Sequence, residues 1–401
     1  MNIKRAAAFV LAVILSAAMA LPAFAAGGAE ESLEASTGIA TSEFKTPDFD
    51  VPCKAAVLFE QDTGAILYAK NADDRLSIAS ITKVMTLILT FEALESGRIA
   101  LTDHVPISEH AYSMGGSQIW LEPGEIFTVD ELLKAVTVAS ANDAAVALAE
   151  MVGGSEEAFA AMMNEKAREL GMENSHFINA CGLDIEGHYS SARDVAIMSR
   201  ELLTQHPQIT NYSTIWMDTL RGGETQLLNT NKLLKQYAGI NGLKTGTTNG
   251  AGVCISASAT RDGTSLIAVV LGSPSSQERF TAAKTLLDYG FANYEVVPFP
   301  DTGAAPAALG VAKGAERQVD LTFTTPDKLL LKKGEGSALS ATFDLPAQLT
   351  APVHEGDEVG LVTVKNGETV LGTYSIQVAK TVEKMNFKTG LSLLTNSLFA
   401  M

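Results

Sequence analysis

Short apolar runs separated by turn residues mark strands at two places in the chain. Residues 55–59 and 65–68 flank an Asp-Thr-Gly turn, a pattern that predicts a β-hairpin. Residues 253–260 and 266–272 are also β-rich and are joined through an Asp-Gly turn, which predicts a second hairpin. The two hairpins lie far apart in the sequence.

Helical patterns fill most of the chain between the hairpins. The predicted helices cover 78–94, 130–151, 155–170 and, after the second hairpin, 277–289. The segment 130–151 reads as two pieces interrupted around Ser140-Ala141-Asn142-Asp143, because such a cluster favours turns and caps. We therefore predict an α/β domain over 51–295, with one sheet built from both chain ends and a helical insertion between them.

After residue 298 the pattern changes to short strand-like runs with few helix signals. These runs cover 319–323, 328–331, 358–364 and 369–376. They predict a separate, small all-β domain over 296–378.

The last segment, 379–401, has the spacing of an amphipathic helix. Phe387, Leu391, Leu394 and Leu398 are spaced so that they share one helical face. The lysines at its start are Lys380, Lys384 and Lys388. In an otherwise acidic protein these lysines favour an anchor helix on an anionic membrane surface, and packing on the protein itself is the alternative.

The first residues have the features of a secretory signal peptide over 1–25. Lys4 and Arg5 precede an apolar run over 6–21, and the run ends before the small-x-small sequence Ala23-Phe24-Ala25. The run is shorter than the roughly 20 residues that a membrane span needs, which argues against a retained anchor. We expect an exported protein at the outer face of the cytoplasmic membrane or in the cell wall space, with a flexible linker over 26–50.

Charge and cysteine content narrow the possible partners. The formal net charge of −17 argues against nucleic acid, since phosphate binding needs clustered Lys and Arg. Cys53, Cys181 and Cys254 have no CxxC spacing and no Cys/His cluster around them, so no metal or other cofactor is expected. Three cysteines allow at most one disulfide, and each is most simply a small buried residue.

Three short motifs occur in an order that carries more information than any one of them. They are Ser80-Ile81-Thr82-Lys83, Ser140-Ala141-Asn142 and Lys244-Thr245-Gly246. The chain holds a second SxxK at 42–45 and a second KTG at 388–390, so single matches mean little. The first motif opens a predicted helix, the second interrupts helices, and the third precedes the second hairpin.

Ser80 and Lys83 have the spacing of a nucleophile and its base. Residues three apart on a helix share a face, so the Lys83 amine can reach the Ser80 hydroxyl. A serine is a poor nucleophile until a base removes its proton, and a lysine serves as base only when burial or a nearby cation lowers its pKa. The apolar neighbours of Lys83 supply burial, and Lys244 is the candidate second cation. Alone, the pair would more simply be an N-cap serine and a solvated lysine.

With these three motifs the sequence resembles the D-alanyl-D-alanine carboxypeptidase family of low-molecular-mass penicillin-binding proteins, over roughly 51–378. These serine-type enzymes trim peptidoglycan stem peptides, and the same trio marks β-lactamases. The resemblance implies a β-lactamase/transpeptidase-like catalytic domain, with an antiparallel sheet flanked by helices plus a helical subdomain. It also implies acylation of Ser80 by β-lactam antibiotics as inhibitors.

The resemblance also implies a role for each motif residue. Ser80 would attack the carbonyl between the last two D-alanines, Lys83 would take its proton, and Ser140 would relay a proton to the departing D-alanine. Asn142 would hold Lys83 and the substrate amide. The residues implied in substrate binding are Lys244, Thr245, Gly246, Thr247 and Arg279. Thr247 replaces a histidine of some relatives, and Arg279 is otherwise a surface arginine at a helix start.

Other interpretations of the same motifs stay open at this point. A class A β-lactamase would have Ser-Asp-Asn where this chain has Ser140-Ala141-Asn142, and its Glu-x-x-Leu-Asn pattern is approached only at 224–229, one residue too long. A non-catalytic sensor of penicillin or peptidoglycan is an interpretation from another class. His188 has no evident acid partner and is expected to pack within a loop.

Overall fold

The computed structural model describes residues 47–301, 306–388 and 390–391. The predicted signal peptide and most of the predicted linker lie outside this part of the chain. Among the residues described, none of the helices combines the length and the apolar character that crossing a bilayer requires.

The first part of the chain contains the two predicted hairpins, two further pairs of short strands and one more, longer strand. They are β1 (Ala55–Glu60), β2 (Ile66–Lys70), β3 (His104–Pro106), β4 (Ile126–Thr128), β5 (Met217–Leu220), β6 (Thr225–Leu228), β7 (Ile240–Thr248), β8 (Gly252–Arg261) and β9 (Thr264–Ser273). Both predicted hairpins, β1–β2 and β8–β9, are confirmed as antiparallel pairs.

The helices also follow the predicted pattern. They are α1 (Lys83–Glu95), α2 (Glu109–Tyr112), α3 (Val129–Lys134), α4 (Asn142–Gly153), α5 (Glu156–Glu169), α6 (Ala192–Gln205), α7 (Thr210–Ser213) and α8 (Ser276–Asn293). Serine side chains cap four of them: Ser108, Ser155, Ser191 and Ser275 each accept the N–H of the residue three positions on. Such caps satisfy N–H groups that the first helical turn leaves unpaired.

One five-stranded antiparallel sheet, in the order β2-β1-β9-β8-β7, joins both ends of this region. Strand β1 is buried along its whole length, and its alternate residues enter two different cores. Ala55 and Val57 face the larger core beneath the helical region, whereas Ala56 and Leu58 face a second core that includes Leu286 of α8. Because neighbouring side chains of a strand point to opposite faces, the sheet lies between two helical layers. The predicted α/β architecture is confirmed.

The second part of the chain is mostly strand. It contains β10 (Tyr294–Pro298), β11 (Ala308–Ala312), β12 (Gln318–Phe323), β13 (Lys328–Lys332), β14 (Leu339–Asp344), β15 (Leu349–Thr350), β16 (Glu358–Asn366) and β17 (Thr369–Val378). Six of these strands form a sheet in the order β14-β16-β17-β12-β11-β15, and β10 pairs with β13. The predicted all-β character is confirmed.

The predicted C-terminal helix begins later than its sequence pattern indicated. Residues 380–386 are not helical, and helical backbone begins at Phe387. Val382 is buried in the β-domain core and bridges to Val353, and Lys384 bridges to Gly314, so this stretch belongs to the β domain. Lys380 and Lys384 therefore do not lie on the helix. Phe387 and Leu391 are exposed, while Leu394 and Leu398 lie outside the described residues.

Candidate active site

Ser80 lies in a single 3-10 turn, Ala79–Thr82, that leads directly into α1. Ala79 has a φ of 49°, a left-handed conformation that costs a non-glycine residue free energy. Two glycines allow the close packing around this turn. A Cβ on Gly246 would lie 3.0 Å from the Ser80 nitrogen, and a Cβ on Gly182 would collide with the Ala79 carbonyl at 1.9 Å. Ser80, the predicted nucleophile, is thus held between β7 and the loop at 182.

Lys83 is fully buried and makes three hydrogen bonds through its amine. Its Nζ lies 2.8 Å from Ser80 Oγ, 2.6 Å from Asn142 Oδ1 and 2.7 Å from the Cys181 carbonyl oxygen. Burial lowers the pKa of Lys83 to about 8, although nearby negative charge, including that of Asp143, acts in the opposite sense. The predicted nucleophile and base are therefore in contact, and the amine gives up its proton more readily than an exposed lysine does.

Ser140 and Lys244 form a second serine–lysine pair next to the first. Ser140 has a φ of 62° and ends a π-helical turn, Ala135–Ala139, that follows α3. Lys244 Nζ donates to Ser140 Oγ at 2.7 Å and to the Thr245 carbonyl at 3.1 Å. Burial lowers the pKa of Lys244 well below its usual value, and the positive charges of Lys83 and Arg279 add to the effect. Two serine–lysine pairs thus lie close together, with Lys83, Ser140 and Lys244 buried and Ser80 half-buried.

Asn142 and Asp143 at the start of α4 fix the segment 115–121. The Asn142 side-chain amide donates to the Gly115 carbonyl at 2.7 Å, and its backbone N–H donates to the Ser117 carbonyl at 2.7 Å. Asp143 accepts the backbone N–H groups of Ile119 and Leu121, each at 3.1 Å. Asn142 therefore links the amine of Lys83 to a surface loop on the helical side of the site.

Strand β7 forms the sheet side of the site. It is an edge strand of the sheet, and the side chain of Thr247 on it is exposed. Thr245 is buried and its hydroxyl donates to the Thr230 hydroxyl at 2.6 Å. The strand therefore presents the exposed Thr247 one residue after Gly246, which packs on the Ser80 nitrogen. An edge of this kind can accept an added strand.

Arg279 is not the surface arginine that its place at the start of α8 allowed. Its side chain is only 6% exposed and lies behind β7. It donates to the Gly246 carbonyl at 3.3 Å, to Thr247 Oγ1 at 3.4 Å and to the Cys254 carbonyl at 3.1 Å. Burial lowers its pKa to about 10. Arg279 thus brings a cation to the underside of the strand that carries Thr247.

His188 packs within a loop, as the sequence predicts, and this loop lies against the turn that carries Ser80. The Ile178 N–H donates to His188 Nδ1 at 3.1 Å, so the ring proton is on Nε2, which lies 2.8 Å from Thr82 Oγ1. Burial lowers the pKa of His188 to about 4, with a further contribution from His176 that Asp184 opposes. The neutral ring joins the Ser80 turn to the loop that supplies the Cys181 carbonyl.

Replacing His188 by glutamine is expected to weaken the dependence of stability on pH. Between about pH 6.5 and 4 the unfolded histidine is protonated and the buried one is not, so the folded protein loses stability as the pH falls. The full effect of this pKa difference is about 3 kcal/mol. Glutamine can make both hydrogen bonds without titrating.

Thermal unfolding of both proteins over this pH range checks the expectation. Between pH 6.5 and 4 the melting temperature of the wild type should fall further than that of His188→Gln. At pH 8 the two melting temperatures should be similar. Parallel curves would mean that His188 does not titrate in this window.

Two features of the site carried no recognisable sequence signal. The Cys181 carbonyl is a backbone acceptor, so no side-chain type marks it. Gly182 is required because any Cβ there would collide with the Ala79 carbonyl, which belongs to a turn much earlier in the chain. All three cysteines are free thiols, and no group of His, Cys, Asp and Glu within the described residues could hold a metal ion.

Comparisons with known proteins agree with this geometry. A family profile described as D-alanyl-D-alanine carboxypeptidase matches residues 40–275, and one described as the C-terminal domain of penicillin-binding protein 5 matches 294–384. The D-alanyl-D-alanine carboxypeptidase DacF of Bacillus subtilis is 43% identical over 351 residues, which cover 86% of this chain and 90% of that protein.

Solved structures show the same likeness. Penicillin-binding protein 5 of Haemophilus influenzae matches with a TM-score of 0.75 and 32% identity, over 84% of this chain and 99% of that one. Penicillin-binding protein D2 of Listeria monocytogenes, in an ampicillin-bound form, matches with a TM-score of 0.57 and 30% identity, over 61% of this chain and 100% of that one.

Proposed function

Because the chain belongs to the D-alanyl-D-alanine carboxypeptidase family of serine peptidases, we propose that it removes the terminal D-alanine from peptidoglycan stem pentapeptides through an acyl-Ser80 intermediate. The observation that carries this proposal is the fully buried Lys83 amine 2.8 Å from Ser80 Oγ. That contact gives a serine hydroxyl the neighbouring base that nucleophilic attack requires.

Acylation begins when Ser80 Oγ attacks the carbonyl carbon of the penultimate D-alanine. The hydroxyl proton passes to Lys83, and the backbone N–H groups of Ser80 and Thr247 stabilise the negative oxygen that forms. When the peptide bond breaks, the leaving amine takes a proton from the Ser140 hydroxyl. Ser140 regains a proton from the adjacent Lys244, whose amine already donates to it at 2.7 Å.

The terminal carboxylate of the substrate is bound along β7. To donate to it, the hydroxyls of Thr245 and Thr247 turn away from Thr230 and the Gly246 carbonyl, to which they donate in the free protein. Arg279 supports Thr247 from behind the strand. Lys244 gains a partner of opposite charge when the carboxylate arrives, and such a partner favours its charged form. Substrate binding therefore favours the charged form of the lysine that supplies the proton for the leaving group.

Water completes the cycle by attacking the acyl carbonyl. Before this step Lys83 gives up the proton that it took from Ser80 and Lys244 regains one from solvent, so that Lys83 is neutral again. Lys83 then accepts a proton from the attacking water and passes it to Ser80 Oγ when the shortened peptide leaves. A β-lactam acylates the same hydroxyl by opening its four-membered amide ring, so it competes with the stem peptide for Ser80.

The proposed domain plan follows the sequence pattern and places the enzyme outside the cell. A signal peptide over 1–25 and a linker over 26–50 precede a catalytic domain over 51–295 and a small β domain over 296–378. Of the final segment 379–401, residues 380–386 belong to the β domain, and the membrane-surface anchor starts at Phe387. The exposed apolar side chains of Phe387 and Leu391, which start the C-terminal helical turn, support the anchor.

The release of D-alanine is expected to speed up as the pH rises through about 8. Lys83 has to be neutral to accept the Ser80 proton, and its pKa is lowered to about 8 by burial. The measurement is kcat/KM for free D-alanine release from a muramyl pentapeptide between pH 5.5 and 9.5. This quantity reports ionisations of the free enzyme.

Two outcomes would contradict different parts of this proposal. If the full chain releases no D-alanine at any pH, the assigned reaction is wrong. If release occurs but kcat/KM is flat between pH 7 and 9, Lys83 is not the base. Penicillin hydrolysis, followed in parallel, tests the β-lactamase alternative.

A further inference from the structure

Trp120 is a large aromatic residue in a conformation that such residues avoid. Its backbone φ is 51°, in the left-handed region, and its side chain is 74% exposed. For a bulky residue this conformation costs on the order of 1–3 kcal/mol and persists only where surrounding structure imposes it. An exposed indole gains no burial energy in return. The strain therefore points to a function for the displayed ring.

Hydrogen bonds on both sides of Trp120 impose this conformation. The buried Asp143 carboxylate holds the N–H groups of Ile119 and Leu121, each at 3.1 Å. Arg221 donates to the carbonyls of Ile119 and Trp120, each at 3.0 Å. The backbone is thus fixed before and after the tryptophan, and its indole projects from a rigid support.

Arg221 is itself held in place, so the support has two anchors. It lies between β5 and β6 and also has a left-handed φ, of 49°. Its guanidinium bonds both carboxylate oxygens of Glu125, at 2.9 and 2.7 Å. A two-oxygen bond of this kind fixes orientation as well as distance. A loop and a separate hairpin therefore cooperate to hold one residue.

The support connects directly to the catalytic residues. Asp143 follows Asn142 in the chain. Asn142 Oδ1 accepts a hydrogen bond from the Lys83 amine at 2.6 Å, and its side-chain N–H donates to the Gly115 carbonyl at the start of the same loop. This path of contacts keeps the indole within about 25 Å of Ser80 Oγ, on the helical side of the site. The three stem residues before the cleaved pair span about 10 Å when extended. The indole therefore lies within reach of the head of a stem peptide bound at Ser80, where the sugar is attached.

We propose that Trp120 binds the muramyl sugar at the head of the substrate by stacking its indole on the sugar ring. This inference rests on the proposed function and extends it from the D-alanine end to the other end of the substrate. The indole face is electron-rich and attracts the weakly positive C–H groups of a ring laid over it. A rigid aromatic surface makes such a contact with little loss of conformational entropy.

The test compares two substrates that share the cleaved end. One is a muramyl pentapeptide, and the other is a short N-acylated tripeptide ending in D-Ala-D-Ala, which lacks the sugar. For the full-length Trp120→Ala variant, we expect kcat/KM to fall about 10-fold on the muramyl substrate, through KM. On the short substrate it should stay within about twofold of wild type, and Trp120→Phe should restore most of the loss.

Ile126→Ala is the matched control, because Ile126 is also apolar and exposed and lies on the adjacent strand β4. It should match wild type on both substrates. Equal losses on both substrates by Trp120→Ala would overturn the proposal, since the residue would then act on the catalytic groups. Unchanged kinetics on both would also overturn it. Failure of the wild type on both substrates would instead refute the proposed function.

Discussion

Replacing Ser80 by alanine is expected to abolish both D-alanine release and covalent labelling by penicillin. No other hydroxyl in the site takes its place, because Lys83 Nζ is directed at Ser80 Oγ, and Ser140 Oγ is bonded to Lys244 instead. The loss should be at least about 10⁴-fold, as for other activated serine nucleophiles. Free D-alanine from a muramyl pentapeptide and labelling by a fluorescent penicillin measure the two reactions.

The second SxxK sequence provides a matched control. Ser42 has the same spacing to Lys45 but lies in the predicted linker, before the predicted catalytic domain over 51–295, so Ser42→Ala should behave as wild type in both assays. Residual labelling of Ser80→Ala would show that another residue is acylated. Retained D-alanine release would refute Ser80 as the nucleophile.

Replacing Gly246 by alanine is expected to slow acylation by about 100-fold or more, although no reacting group is removed. The new methyl group would lie 2.8 Å from the Ile78 carbonyl oxygen and 3.0 Å from the Ser80 nitrogen, closer than packed atoms tolerate. Either β7 or the Ser80 turn must move. A displacement of about 1 Å at a catalytic group can cost 100-fold in rate.

The rate of penicillin acylation measures this effect, with thermal unfolding as a check on the fold. Gly310→Ala is a suitable control, since Gly310 also lies in a strand but its added Cβ meets only ordinary contacts at 3.7 Å or more. Its acylation rate should be unchanged. A fast Gly246→Ala variant would show that β7 and the turn are not held as closely as the contacts indicate.

The sequence was most informative where chemistry depends on local spacing. Ser80 and Lys83 are three residues apart, so a helical turn brings them together whatever the rest of the fold does. The two hairpins were equally local, because a turn sequence and alternating runs specify both strands. The roles carried over for Ser140 and Lys244 needed the resemblance, and the structure shows that their side chains meet.

The parts that could not be predicted depend on contacts between distant segments. The burial of Arg279 is set by its contacts with β7. Its place at the start of α8 is equally consistent with a surface arginine and with one that binds the substrate carboxylate. The sequence pattern predicts a C-terminal helix that begins several residues before the observed one. The spacing of four apolar residues does not reveal that Val382 belongs to the core of the β domain. No sequence signal marks Trp120, because its unusual feature is a backbone conformation that appears only in the folded structure.

The sheet that unites both ends of the catalytic region also sets when the enzyme can first become active. Strand β1 lies between β2 and β9, and Ala55 pairs with Leu271. Contacts so distant in sequence form late, after the intervening loop has been closed at an entropic cost. While the chain is being synthesised, Ser80 and Lys83 emerge long before β7 and β9. The nascent protein therefore lacks the wall that completes its site, and its nucleophile remains latent until the whole domain is free to fold.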